Sequence, residues 1–102
     1  MTLSRTDVQQ LFLYSRQGCC LCEGLEARLR ALKLDALEPP LELAVIDIDA
    51  KGSDPTLKAR FDLEVPVLAL SVGVLPRVSP RLSGDGLFAW LQRACIAALG
   101  SV

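Results

Sequence analysis

Leu11-Phe12-Leu13-Tyr14-Ser15-Arg16-Gln17-Gly18-Cys19-Cys20-Leu21-Cys22 passes from an apolar run, through a short polar break, into three cysteines. Gln10 to Ser15 has the length and the apolar, aromatic content of a buried strand, and Arg16-Gln17-Gly18 bounds it. From Cys20 to Leu34 the period changes. Leu21, Leu25, Leu29 and Leu32 recur at helical spacing, with Glu23, Glu26, Arg28, Arg30 and Lys33 between them. Glu26 and Arg30 are spaced for an i,i+4 ion pair. Cys19 and Cys22 thus form a C-x-x-C where a first strand opens into a first helix. Unpaired N–H groups and the helix dipole favour negative charge there, and cysteines so placed have pKa values lowered to roughly 3.5–7.5. The position suits redox chemistry.

Working outward, Pro39-Pro40 marks a loop after the first helix, and Leu41 to Ile48 reads as a second strand. Asp54-Pro55 has the form of a helix start, with Asp as N-cap and Pro at the first helical position, and the helix runs to about Phe61. Pro66 to Val72 is nearly continuous in apolar character, as a strand buried on both faces should be. Gly73 turns it into a last strand, Val74 to Val78, which Pro76 confines to an edge. A final helix runs from about Leu87 to Leu99 and stops at Gly100. Leu87, Trp90, Leu91, Ala94, Cys95 and Ala98 form its core face. The order βαβαββα implies parallel pairing of the first two strands and an antiparallel hairpin at the end.

Composition bounds the function. A chain of 102 residues is one domain, residues 1–102, with residues 1–9 read as a flexible lead-in, and 51% apolar content is enough for a core without metal or disulfide staples. Net charge is −1 with the basic residues scattered, so no nucleic-acid stripe is visible. Met1 to Gln10 lacks the apolar centre of a signal peptide, and Val65 to Leu75 is too short to span a bilayer. These features predict a cytoplasmic, monomeric protein with no membrane partner, where a local C-x-x-C is catalytic or metal-binding rather than structural. The chain has no histidine, which excludes Cys-His and Ser-His catalysis and imidazole-ligated metal sites.

The whole, from Leu11 to about Leu99, resembles a thioredoxin fold of the glutaredoxin type: α/β, with a four-stranded mixed sheet flanked by helices. Leu11 to Cys22 is similar to the glutaredoxin opening. Val45-Ile46-Asp47-Ile48-Asp49 resembles the second strand of small bacterial glutaredoxin-like proteins, and Cys19-Cys20-Leu21-Cys22 their C-x-L-C. The resemblance implies a cis-proline at Val65-Pro66 beside the cysteines, whose Val65 backbone pairs with an extended substrate. It also implies glutathione as a co-substrate, no resident cofactor, and protein or small-molecule disulfides as partners, re-reduced by glutathione or a thioredoxin reductase. Ser83-Gly84-Asp85-Gly86 is loosely similar to the segment that holds the glutathione γ-glutamyl end, so Gly84 and Asp85 are either ligand-binding or an N-capping turn. The chain departs from the family pattern at Cys20-Leu21, where glutaredoxins carry an aromatic residue. Another departure is Glu64, where they carry Thr; an acidic side chain there repels a carboxylate ligand.

On this reading Cys19 is the nucleophile, its thiolate supported by helix N–H groups and by Arg16, and Cys22 resolves the mixed disulfide. Arg16 reads equally well as a solvated loop charge. Cys20 is an extra thiol or an exposed bystander, and Cys95 a small hydrophobe in the core. Two other classes stay open. One is a thiolate site for a metal or an iron–sulfur cluster, and the other a thioredoxin-fold interaction module with a regulatory disulfide.

Overall fold

The computed structural model describes residues 8–99, and its elements follow the expected order. They are β1 (Gln9–Ser15), α1 (Cys20–Arg30), β2 (Leu41–Asp47), α2 (Pro55–Phe61), β3 (Val67–Leu70), β4 (Gly73–Val74) and α3 (Gly84–Ala98), with a 3-10 turn at Leu34–Ala36. The sheet order is β2-β1-β3-β4. β1 runs parallel to β2 in the register Gln9↔Leu41 to Ser15↔Asp47, and antiparallel to β3, with Tyr14 opposite Val67. This is the thioredoxin-like arrangement of a mixed sheet with helices on both faces. The flexibility expected of the first residues and the stop at Gly100 lie outside the described residues, apart from Val8 and from Gln9, which pairs within β1.

Strand periodicity distributes the core. Leu11 and Leu13 are fully buried on one face of β1, under Leu25 and Leu29 of α1 and Leu87 and Leu91 of α3. Tyr14 points to the other face, where it stacks on Phe61 of α2 at 4.9 Å between ring centroids, beside Ile48 and Val67. All four residues of β3 are buried, as an inner strand covered on both faces requires. Each buried Leu contributes roughly 1.5–3 kcal/mol of apolar transfer free energy, so this layer, rather than the disulfide, holds the fold. Trp90 and Ala98 lie half-buried against the same cluster, and Cys95 is within it.

Some boundaries differ from expectation, each for a local reason. α1 ends at Arg30 because the Leu32 N–H turns to the Leu29 carbonyl (3.0 Å), an i→i+3 bond that tightens and closes the helix. Leu21 is 57% exposed, not part of the core stripe; the inward positions are Cys22, Leu25 and Leu29, at i, i+3 and i+7. β3 starts one residue late because Pro66 has no N–H to give the ladder. β4 is only Gly73–Val74. Leu75 donates once more, to the Leu68 carbonyl at 2.8 Å, and Pro76 then ends the pairing. α3 opens at Gly84, which holds a φ of +53° that favours glycine.

Candidate active site

Cys19 is the N-cap of α1. Its backbone is extended (φ −93°, ψ 107°), so the helix begins one residue later and leaves its first N–H groups pointing back at the cap. The side chain takes up one of them: the Cys22 N–H donates to Cys19 Sγ at 3.1 Å. The Cys19 carbonyl meanwhile accepts from Glu23 at 3.0 Å, the first helical bond. Cys19 and Cys22 are joined as a disulfide with 5.2 Å between their Cα atoms, within the range such a bridge needs. The two sulfurs are not equivalent. Cys19 is half-exposed at the mouth of the turn, whereas Cys22, on the inward stripe, is 2% exposed.

Arg16 is engaged elsewhere. Its Nε and Nη2 donate to the two Asp49 carboxylate oxygens (2.9 and 3.0 Å), Nη2 also to Asp62 Oδ1 (2.6 Å), and Nη1 to the Asp62 carbonyl (3.0 Å). Lys58 joins Asp49 at 3.4 Å. The Arg16 hydrogen bonds, followed by Lys58, hold the Asp49 carboxyl below its ordinary value, and Arg16 itself is pushed further up. Two carboxylates cancel this guanidinium, so it brings no free charge to the thiolate. It fastens the loop before Cys19 to the end of α2 and to the segment after β2. Asp49, Asp62 and Lys58 were not among the residues expected at the site, because the contact to Asp62 spans 46 positions and no local pattern announces it.

Val65-Pro66 is a cis peptide bond, as is Glu38-Pro39. The β1–β3 register places Pro66 next to Val67, opposite Tyr14, and so at the cysteine end of the sheet. Two hollows flank the first turns of α1. One, of about 220 Å³, lies between Arg16, Cys22, Glu23, Glu26 and Asp47. The other, of about 120 Å³, lies between Leu21, Arg28, Pro66, Arg77, Val78 and Pro80.

Gly84 and Asp85 sit apart from these residues. They line a hollow with Ala31, Leu32, Lys33, Ala36 and Phe88, at the C-terminal end of α1. α1 has eleven residues and is about 16 Å long, which separates that end from the cysteines. Asp85 lies in the first turn of α3, Ser83 is the N-cap, and the cap makes no side-chain hydrogen bond. Cys20 is exposed and free, and Cys95 is 1% exposed and free, with burial pushing its thiol up. Among the described residues no three His, Cys, Asp or Glu side chains are grouped to hold a metal ion. Among them, too, no helix is long and apolar enough to cross a membrane.

With this geometry in place, the chain proves similar to known proteins. Residues 10–92 match the family model described as Glutaredoxin-like domain (DUF836). The fold is also similar to the X-ray structure of a Northeast Structural Genomics target protein, XcR50, from X. campestris, at 28% identity and a TM-score of 0.53. That match covers 82% of this chain and 97% of the other. No curated protein matches the chain.

Proposed function

The chain belongs to the Glutaredoxin-like domain family, and from that premise we propose that it is a thiol–disulfide oxidoreductase working through Cys19 and Cys22. The observation that carries the reading is the N-cap itself. The sulfur reachable from solvent is the one that receives a helix N–H, while its partner is shielded one turn away. In the reduced protein the same N–H group and the α1 dipole favour the Cys19 thiolate over the thiol.

The reaction then balances as two exchanges. Cys19 thiolate attacks one sulfur of a substrate disulfide, that S–S bond breaks, and the first substrate half leaves as a thiolate and is protonated by solvent. Cys22, deprotonated, attacks Cys19 Sγ within the mixed disulfide and releases the second half. Two electrons pass from the protein to the substrate, and the protein is left with the Cys19–Cys22 bridge seen here. Arg16 serves by fastening the loop rather than by supplying charge.

We take glutathione or a thioredoxin reductase as the electron donor and a reducing, cytoplasmic setting for the cycle. The test is reduction of a small mixed disulfide, driven by glutathione in one assay and by thioredoxin reductase in the other. Cys19→Ser is expected to abolish turnover with both donors. Cys22→Ser retaining turnover with glutathione alone identifies a monothiol glutathione step; its loss with both identifies a dithiol mechanism. Full activity of Cys19→Ser overturns the proposal.

A further inference from the structure

The 120 Å³ hollow beside Leu21 and Pro66 differs from the one on the opposite flank of α1 in both size and charge. Leu21, Leu25 and Arg28 follow one another at i, i+4 and i+7 along one face of α1, and Pro66, Val78 and Pro80 close the opposite wall. A space of that volume is close to the roughly 150 Å³ of a dry cavity that takes benzene, so it has room for one apolar side chain and not for a whole tripeptide. Among the described residues the charged groups lining it are Arg28 and Arg77. Arg28 spends its Nε and Nη1 on backbone carbonyls, those of Gly24 and Leu82, and Arg77 makes no ion pair among the described residues. Among the described residues neither charge is cancelled by a carboxylate.

Across α1 the balance is reversed. Arg16 is neutralised by Asp49 and Asp62, and Glu26 by Arg30 at 2.8 Å, which leaves Glu23 and Asp47 to set the sign of that hollow. An incoming chain therefore meets a negative flank on one side of the disulfide and a positive, partly apolar flank on the other. Glu64 tempers this, since it lines a smaller hollow with Pro66 and Arg77, but at no ion-pair distance from Arg77.

We propose that this hollow selects the substrate: an extended polypeptide disulfide whose cysteine is followed by an apolar side chain, seated against Leu21, Val78 and Pro80, and by acidic residues that meet Arg77 and Arg28. The proposal rests on the oxidoreductase reading above and names its substrate class. Glutathione has no apolar side chain to fill the hollow, so it is the poorer partner here.

The test is a single-turnover experiment with the reduced full-length protein in excess. The substrates are short peptides bearing Cys-Leu followed by Glu-Glu, Gln-Gln or Lys-Lys, each as its mixed disulfide with thionitrobenzoate, alongside the same derivative of glutathione. Each turnover breaks that disulfide, oxidises the Cys19/Cys22 dithiol, and frees the peptide thiol and the coloured thionitrobenzoate. The acidic peptide should react about fivefold faster than the basic one, the size expected of one or two exposed ion pairs, and molar salt should erase the gap.

Arg77→Glu, at an exposed position with no ion pair among the described residues, should reverse the order, and Glu64→Gln should widen it. Equal rates for all three peptides, a preference that Arg77→Glu leaves intact, or a faster reaction with the glutathione derivative each overturn the substrate assignment while the redox reading stands. No release from any substrate overturns both.

Discussion

On one flank of the Cys19–Cys22 turn each cation is matched by a carboxylate: Arg16 by Asp49 and Asp62, Lys58 by Asp49, Arg30 by Glu26. On the other, two guanidinium groups face an apolar hollow with no carboxylate among the described residues to meet them, and Leu21 stands 57% exposed. The first flank is organised to hold the loop still, the second to receive something. The same helix serves both because consecutive positions turn by about 100°, so that Cys22 and Glu23 face one way while Leu21 and Arg28 face the other. Satisfied polar groups mark the structural side of such a site. Unsatisfied charge beside exposed apolar surface marks the side that binds.

The contrast can be broken at several points. The largest effect should come from Leu25→Ala, which removes a fully buried side chain shared by the core and the base of the hollow. Chemical denaturation should show a loss of about 2–5 kcal/mol. Next is Arg16→Met, which leaves Asp49 and Asp62 without their shared partner. Its melting temperature should fall clearly more than that of Arg77→Met, and Arg16→Lys should recover little, since an ammonium cannot reproduce the fork that reaches both carboxylates. Equal, negligible shifts for Arg16→Met and Arg77→Met contradict the assignment of the two flanks.

Acid should expose the same asymmetry. Asp49, held low chiefly by Arg16, and Asp54, held low chiefly by the Thr56 backbone N–H, both lie below the ordinary 3.8 in the folded protein. A carboxyl depressed on folding contributes stability that is complete above its unfolded value and is lost as pH falls through the folded one. Melting temperature should therefore be level above about pH 5 and decline below about pH 4, with a shallower decline in Arg16→Met. An unchanged acid slope in that variant removes Asp49 from the account. The smallest effect on stability belongs to Leu21→Ala, within about 0.5 kcal/mol of the wild type, because the side chain is largely in water already. Its peptide turnover should nonetheless drop, which separates binding from folding at one residue.

Much of this was legible beforehand. The strand–helix switch at Gly18-Cys19 and the Asp54-Pro55 start follow from backbone chemistry and lie where expected, and the inner strand is present but shorter, Val67–Leu70 within the expected Pro66 to Val72. Local rules failed where a contact joins distant segments. Arg16 reads from its neighbours either as a charge beside a thiolate or as a solvated loop charge, yet its partners lie 33 and 46 positions away. Leu21 obeys helical spacing but loses the inward position to Cys22, because a stripe of several leucines does not by itself say where its edge falls. Gly84 and Asp85 have suitable residue types, but the packing of α3 against the far end of α1 places them away from the disulfide.

The central claim is the division of labour between an accessible Cys19 and a shielded Cys22. It is tested most directly by site-resolved alkylation of the reduced protein, with iodoacetamide labelling of each cysteine followed by mass spectrometry between pH 5 and 9. Cys19 should label first and keep its advantage over the exposed Cys20 as the pH is lowered, with Cys22 slow and Cys95 protected until the protein unfolds. Cys20 labelling as fast as Cys19 across that range, or Cys22 labelling ahead of Cys19, contradicts it.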